Sequence, residues 1–275
     1  MTNSSKGLCL IKAKKKFGQN FLKDETILRK IIESMPDDEK PIVEIGPGLG
    51  DLTRHLVKIK DVTAYEVDKD LCERLCNRFK VAIKSRKLTL RCTDVLTHWN
   101  QESLNRQPYH IVANLPYYIA TNIILRALKD DNCQSLLVMV QKEVAKKFSA
   151  KPKQKSFSAL AVLVQSVGEA ELCFDVLPEA FVPAPKVVSS VLRIVKKETF
   201  NDPEFENFLK VAFTQPRKTL AKNLSGKFYK KDVVAAFDLL DLRSSVRPHE
   251  VGASLYHHLY KILKGDIDGR EEESG

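Results

Sequence analysis

The stretch Val43-Glu44-Ile45-Gly46-Pro47-Gly48-Leu49-Gly50, followed by Asp51-Leu52-Thr53, decides the fold. Its apolar start predicts a short buried strand, its glycines break that strand, and Leu52 and Leu56 begin a helical pattern. Glycines at a strand-to-helix turn allow the backbone to pass close beneath a ligand. Asp51 stands where a dinucleotide fingerprint needs its third glycine, and the acid Glu44 does not favour a pyrophosphate. A nucleoside with a charged amino-acid tail therefore fits better, although such turns also occur as plain structural bends.

Strands and helices alternate after this turn. Runs typical of strands lie at 62–66, 88–90, 110–113 and 136–140, and helical patterns such as Leu71, Leu75 and Phe79 separate them. This alternation predicts an α/β fold with a largely parallel, doubly wound sheet. Ligands of such sheets bind beyond the carboxyl ends of the strands.

Two acids follow strands in register with the glycine turn. Glu66 lies 20 positions after Gly46, where a carboxylate can accept hydrogen bonds from both hydroxyls of a ribose. Asp94 suits the exocyclic amine of an adenine. Either acid alone is typical of a surface residue at a strand end. Their joint placement favours a pocket.

Asn114-Leu115-Pro116-Tyr117-Tyr118 ends the strand at 110–113. The asparagine and the carbonyl before the proline offer acceptors in a stiffened loop, and Tyr117 offers a flat face for a base. The alternative is an ordinary strand-to-helix turn with a buried tyrosine.

Two further segments allow two interpretations each. Gln19 and Asn20, between phenylalanines, form either a ligand-covering loop or an anchored N-terminal arm. Phe181 lies in a loop with three prolines that would hold an aromatic ring in a fixed direction. The residues alone favour core packing for Phe181.

The chain has 275 residues, a formal net charge of +10 and a sequence pI near 9.2. This charge favours a polyanionic partner, most commonly nucleic acid, and the alternative is a generic solvated lysine surface; the lysines and arginines do cluster, at 14–16, 142–155 and 217–231. We find no secretory signal and no apolar run near the roughly 20 residues that span a bilayer. The six cysteines are scattered, so we expect them to be reduced and mostly buried, with no metal site.

From about Lys196 the pattern predicts helices only. We therefore predict an α/β domain over 1–197, a small helical domain over 198–265 and a disordered acidic tail over 266–275.

The motifs also carry a resemblance, and they run in order over roughly residues 12–260. They are FGQNFL at 17–22, EIGPGLGDLT at 44–53, YEVDKDL at 65–71, CTDVL at 92–96, NLPYYI at 114–119, QKEVA at 141–145, FVPAPKV at 181–187 and AFTQPRKTL at 212–220. In these motifs the chain resembles the ribosomal RNA adenine N6-dimethyltransferases of the bacterial small-subunit type and their eukaryotic relatives.

This resemblance implies a Rossmann-like class I methyltransferase fold with a small all-α C-terminal domain, and S-adenosylmethionine as cofactor. The implied reaction dimethylates N6 of two adjacent adenosines near the 3′ end of small-subunit (16S) ribosomal RNA during ribosome biogenesis. The implied setting is a monomeric cytoplasmic enzyme, acting on RNA of an assembling subunit and not on a membrane.

The resemblance also implies roles for individual residues. The cofactor would be held by Gln19, Asn20, Leu22, Gly46, Gly48, Glu66, Val67, Asp94, Val95 and Asn114. The target adenine would meet Asn114, Leu115, Pro116, Tyr117 and Phe181, with the two aromatic rings on either side of the base. RNA would be bound by Lys14, Lys15, Lys16, Lys147, Lys153, Arg217, Lys218 and Lys222.

One departure is Pro216, which stands where the family usually has a second arginine; it weakens one expected phosphate contact. The nearest alternative is the same chemistry on large-subunit (23S) RNA, as in resistance methyltransferases, which tend to have isoleucine where this chain has Leu115. A second alternative is a non-catalytic RNA-binding factor, either an assembly factor or an organellar one. The presence of Glu66, Asp94 and Asn114 disfavours it. An NAD-dependent oxidoreductase is disfavoured by Asp51.

Overall fold

A seven-stranded sheet forms the centre of the computed structural model, which describes residues 19–99 and 103–265. Its strands are β2 (Ile42–Ile45), β3 (Val62–Tyr65), β4 (Leu88–Arg91), β5 (Tyr109–Asn114), β6 (Cys133–Gln141), β7 (Gly168–Val176) and β9 (Ser189–Lys196). A short antiparallel pair joins β1 (Phe21–Leu22) to β8 (Phe181–Val182).

The sheet has the order β4-β3-β2-β5-β6-β9-β7. The first five strands are parallel, while β9 runs antiparallel to both β6 and β7. The predicted doubly wound, largely parallel sheet is therefore confirmed. The chain reverses its direction of winding between β2 and β5, which brings the ends of these strands together at the switch point where ligands of such folds bind.

Helices flank the sheet and make up the C-terminal part. They are α1 (Glu25–Glu33), α2 (Thr53–Leu56), α3 (Lys69–Arg78), α4 (Lys80–Lys84), α5 (Val95–Trp99), α6 (Ala120–Lys129), α7 (Lys142–Ser149), α8 (Ala159–Gln165), α9 (Pro203–Ala212), α10 (Leu220–Leu224), α11 (Lys230–Leu239) and α12 (Ala253–Lys264). Side-chain caps fix several of the starts; for example, Asp24 accepts from the N–H groups of Thr26 and Ile27, and Asp202 caps α9 in the same way. No helix in the described part of the chain is long and apolar enough to cross a membrane.

The strands bury both faces of the sheet. Val43 and Ile45 pack into one apolar cluster, and Ile42 packs into another, as alternation along a strand requires. A third cluster lies among the C-terminal helices and contains Phe205, Phe208 and Tyr256.

This third cluster also includes Phe157, Ala161 and Val162, which precede the boundary predicted at 197/198. The helices after Lys196 therefore complete their core with α8 and the segment before it. The predicted tail, 266–275, lies outside the described residues.

Candidate active site

A cleft opens at the carboxyl ends of β2, β3 and β5. All ten residues predicted to hold a cofactor line it, and so do Leu115, Pro116 and Tyr117. The predicted pocket at the switch point therefore exists as one connected site. Sequence reasoning did not single out Phe21, Tyr118 and Leu71, which also line it.

The glycine turn between β2 and α2 forms the floor of the cleft. Gly46 and Gly48 have φ angles of +70° and +59°, in the left-handed region that favours glycine. A Cβ atom at Gly48 would lie 3.0 Å from the Phe21 ring, and one at Gly46 would lie 3.3 Å from Pro116. These glycines are thus required by backbone conformation and by close packing against the chain itself, in addition to the ligand approach that the sequence suggested.

Glu66 ends β3 with its side chain 5% exposed. Its Oε2 accepts the Gly48 N–H at 3.2 Å, and its Oε1 accepts the Asp68 N–H at 2.9 Å. Burial raises the pKa of Glu66, while these two backbone donors lower it. Each carboxylate oxygen can accept a second hydrogen bond, so the group can still receive two hydroxyl donors.

Asp94 lies across the cleft, at the start of α5. Its Oδ1 accepts the N–H groups of Leu96 and Thr97 at 2.8 and 3.4 Å. Its Oδ2 has no hydrogen bond to residues that the structure describes, and it is available to an amine donor. The cap therefore orients the carboxylate.

Asn114 ends β5, and the N-terminal arm fixes the orientation of its side chain. Its Nδ2 donates to the Asn20 carbonyl at 3.1 Å. Because a carbonyl can only accept, the amide nitrogen must point to Asn20, and the Oδ1 is left as an acceptor for the cleft. Tyr117 is half-buried, and its hydroxyl lies 2.6 Å from Ser189 Oγ, which fixes the ring.

The arm itself is tied down at several points. Gln19 Nε2 donates to Asp68 Oδ2 at 3.0 Å, Lys23 pairs with Asp51, and the Lys23 N–H donates to the Ala180 carbonyl at 2.8 Å. The arm is therefore anchored, and it also lines the cleft.

Phe181 departs from its predicted position. Its side chain is 2% exposed, packs in the cluster that contains Leu22 and Leu28, and does not line the cleft. The pairing of β8 with β1 places Phe181 opposite Leu22 and directs the ring into the core. A base in the cleft would meet Tyr117 but not Phe181 in this conformation.

The cleft is acidic, unlike the chain as a whole. Glu44, Asp51, Glu66 and Asp94 line it, and no lysine, arginine or histidine within 19–99 and 103–265 does. This charge favours a cationic ligand and opposes a pyrophosphate. The described residues also contain no group of three or more His, Cys, Asp or Glu side chains that could hold a metal ion.

The prediction that the cysteines are reduced is wrong for one pair. Cys72, in α3, forms a disulfide bond with Cys92, which follows β4. The parallel pairing of Tyr65 with Arg91 brings these segments together, a proximity that spacing in the sequence does not reveal. Of the other described cysteines, Cys133 is buried, Cys173 is intermediate and Cys76 is exposed.

We expect reduction of this disulfide to lower the melting temperature. The bond closes a loop with a sequence separation of 20, and such a loop contributes about 3 kcal/mol. For a chain of this size, each kcal/mol shifts the melting temperature by roughly 2–4 °C. Thermal unfolding with and without dithiothreitol measures the shift. Cys72→Ser should abolish the reductant effect, whereas Cys76→Ser should preserve it; equal shifts in both variants would contradict this prediction.

The predicted RNA-binding residues lie apart from the cleft lining. Lys147, Lys153, Arg217, Lys218 and Lys222 are exposed, and none forms an ion pair with a described residue. Lys14, Lys15 and Lys16 lie outside the described residues.

Pro216 lies in the turn between α9 and α10, and it does not disturb the start of α10, which Thr219 caps. Asn223, a buried residue that sequence reasoning missed, donates to the carbonyls of Ala212 and Gln215 at 2.8 and 3.1 Å. These bonds hold the turn that carries Arg217 and Lys218.

The sheet order and the cleft at its switch point define the class I methyltransferase fold. Two solved structures share this fold over most of the chain. One, described as the 23S rRNA methyltransferase ErmE, has a TM-score of 0.69 and 24% identity, covering 89% of this chain and 100% of its own. The other, a dimethyladenosine transferase from Plasmodium falciparum, has a TM-score of 0.76 and 22% identity, covering 90% and 98%.

The chain belongs to the ribosomal RNA adenine dimethylase family, whose sequence profile matches residues 10–264. A relative from Sulfurimonas denitrificans, named Ribosomal RNA small subunit methyltransferase A, is 54% identical over 264 residues, covering 96% of this chain and 98% of its own. A relative of the same name from Helicobacter hepaticus is 49% identical over 268 residues, covering 95% of each chain.

Proposed function

We propose that this protein transfers methyl groups from S-adenosylmethionine to N6 of two adjacent adenosines near the 3′ end of small-subunit ribosomal RNA. The observation that carries the proposal is the Asn114 side chain, held by Asn20 so that its oxygen is an acceptor at an acidic cleft. Family membership and the names of the relatives support the RNA substrate.

The residues of the cleft fit the cofactor. Glu66 would accept hydrogen bonds from the ribose hydroxyls, and Asp94 would accept one from the exocyclic amine of the adenine. Val67 and Val95 would contact the faces of the adenine ring. The acidic lining would balance the positive sulfonium and ammonium groups. When bound, the cofactor supplies an activated methyl group, so no nucleophilic side chain is required.

The residues of the protein have to orient the target amine and make it more nucleophilic. The N6 lone pair of adenine is delocalised into the ring, which makes the nitrogen planar and weakly nucleophilic. Asn114 Oδ1 and the Leu115 carbonyl would accept hydrogen bonds from the amine protons and favour a pyramidal nitrogen. This is positioning combined with preorganised electrostatics.

The base must leave the RNA stack to reach the cleft. Tyr117 supplies one flat face, which contributes about 1–3 kcal/mol for a stacked base. Pro116 stiffens the loop that carries it. Phe181 can supply the opposite face only if β8 moves, so we assign the base contact in this conformation to Tyr117 alone.

The large-subunit alternative and the non-catalytic alternative are less well supported. The relatives that cover nearly the whole chain are named for the small subunit, whereas the ErmE likeness supports the fold alone. Glu66, Asp94 and Asn114 line one cleft. Methyl transfer requires cofactor-binding and target-binding groups in one place, whereas RNA binding alone does not. We extend the proposal to a monomeric cytoplasmic enzyme that acts on an assembling subunit.

Competition between substrates tests the proposal. Labelled methyl transfer is measured with unmethylated small subunits, large subunits and free small-subunit RNA. We expect incorporation into small-subunit RNA in preference to large subunits. Preferential labelling of large subunits would support the resistance-type alternative, and the absence of labelling on all three would support the non-catalytic one.

We expect the exposed cations of the α9–α10 turn and of α10 to make RNA binding salt-dependent. Replacing Arg217, Lys218 and Lys222 with glutamine should flatten the plot of log affinity against log salt, by roughly 0.7 for each single-strand phosphate that these side chains neutralise. Cofactor affinity should not change. The control replaces exposed Lys58, Lys80 and Lys84, which removes the same charge elsewhere. Equal slopes for the two triple variants would mean that this turn does not contact RNA.

A further inference from the structure

Glu44 is a buried carboxyl group of the cleft, and one of its two oxygens lacks a hydrogen-bond partner among the described residues. It lies on β2, its side chain is 1% exposed, and it lines the cleft. Its Oε2 has no hydrogen-bond partner among residues 19–99 and 103–265. Thr53 Oγ1, fully buried at the start of α2, likewise has none there. An unpaired buried carboxylate is costly, so such a group takes up a proton unless a cation is near.

The neighbouring acids differ from Glu44 in this respect. Asp51, from the glycine turn, pairs with Lys23 of the arm and Arg78 of α3. Glu66, at the end of β3, receives two backbone N–H groups. Glu44 has neither an ion pair nor a backbone N–H donor among the described residues. Burial, followed by the negative charges of Glu66 and Asp51, raises the pKa of Glu44 to about 8, although the nearby Thr53 hydroxyl opposes the shift.

We propose that Glu44 couples cofactor binding to proton release: its carboxyl group is protonated in the free protein, and it gives that proton to solvent when the cationic methyl donor enters the cleft. The inference rests on the proposed function, because it needs a positively charged cofactor in this cleft. The charge balances, since one positive charge enters beside Glu44 as one proton leaves.

The coupling makes cofactor affinity depend on pH. Below about pH 8 the proton must be displaced, so affinity rises with pH by up to about tenfold per unit. Above that value Glu44 is already ionised, and its contribution to the pH dependence ends. Glu66 and Asp51 also face Glu44 and bring it no positive charge; burial raises the pKa of Glu66 as well, although two backbone N–H groups oppose that shift.

Calorimetry at pH 7 measures the released protons. S-adenosylmethionine is titrated into the full chain in phosphate and in Tris, whose ionisation enthalpies differ, and the slope gives the proton count. Wild type should release close to one proton more than Glu44→Gln. Because any proton released by the ligand's own amino group is the same for both proteins, it cancels in this difference. Adenosine, which lacks both positive charges, should release no such proton and should bind both proteins equally. Equal proton counts for the two proteins would overturn the proposal.

A second measurement does not need the variant to fold. In wild type labelled with 13C at the glutamate carboxyl carbon, one resonance should titrate near pH 8 and should move to the ionised position when S-adenosylmethionine is added at pH 7. The proposal fails if no glutamate resonance titrates above pH 7 in the free protein. If S-adenosylmethionine does not bind at any pH, the proposed function itself is wrong; if it binds without this shift, only the coupling is wrong.

Discussion

Asn114→Ala is expected to lower the single-turnover rate of methyl transfer by about 10²–10³-fold, equivalent to about 2.7–4 kcal/mol, while cofactor and RNA binding stay largely intact. The planar amine of the ground state is satisfied equally well by water, so the contact adds little affinity. As the methyl group approaches, N6 gains positive charge and its protons become better donors. A bond that strengthens only in the transition state affects turnover and not binding.

Tyr117→Phe is the matched control in the same loop. It removes the hydroxyl that lies 2.6 Å from Ser189 Oγ but retains the ring, so its rate should fall far less. Rates are measured at saturating cofactor and subunits. If Asn114→Ala stays within a few-fold of wild type, Asn114 is a structural turn residue and the mechanism is wrong.

Glu66→Ala is expected to weaken S-adenosylmethionine binding by about 10- to 150-fold. Hydrogen bonds to a charged acceptor contribute roughly 1.5–3 kcal/mol, and the variant also leaves the N–H groups of Gly48 and Asp68 without their acceptor. Calorimetry at one fixed pH measures the change.

The control is Glu73→Ala, which removes an exposed glutamate from α3 and should leave the affinity unchanged. Circular dichroism verifies that both variants fold. Unchanged cofactor affinity in a folded Glu66→Ala variant would remove Glu66 from the site.

The parts of the fold that could be predicted are those that local patterns encode. The apolar runs predicted β2 to β6, and their parallel alternation placed Glu66, Asp94 and Asn114 at one edge of the sheet. The glycines at 46 and 48 marked the turn because their backbone conformations exclude most side chains. These features depend on neighbouring residues and on one general rule of sheet topology.

The parts that could not be predicted depend on contacts between distant residues. Asn20 and Asn114 are separated by 94 positions, so nothing local shows that one orients the other. The strand pairing that buries Phe181 joins it to Leu22, which lies far from it in the sequence, so local patterns do not show that its ring lies outside the cleft lining. The disulfide depends likewise on the register of β3 and β4.

The isolation of Glu44 is also invisible in the sequence. Four acids line the cleft, and the residues alone do not show which of them receive hydrogen-bond donors or cations. The structure places Lys23 and Arg78 beside Asp51 and backbone N–H groups beside Glu66, so only the assembled site distinguishes Glu44 from them.

The most direct test of the central claim is nucleoside analysis after methyl transfer to unmethylated small subunits. RNA labelled from S-adenosylmethionine is digested, and the modified nucleosides are separated and mapped. The proposed function predicts N6,N6-dimethyladenosine at two adjacent positions near the 3′ end, and its loss with Asn114→Ala. Label in any other nucleoside, or no transfer by a wild-type protein that binds the cofactor, would contradict the proposed function.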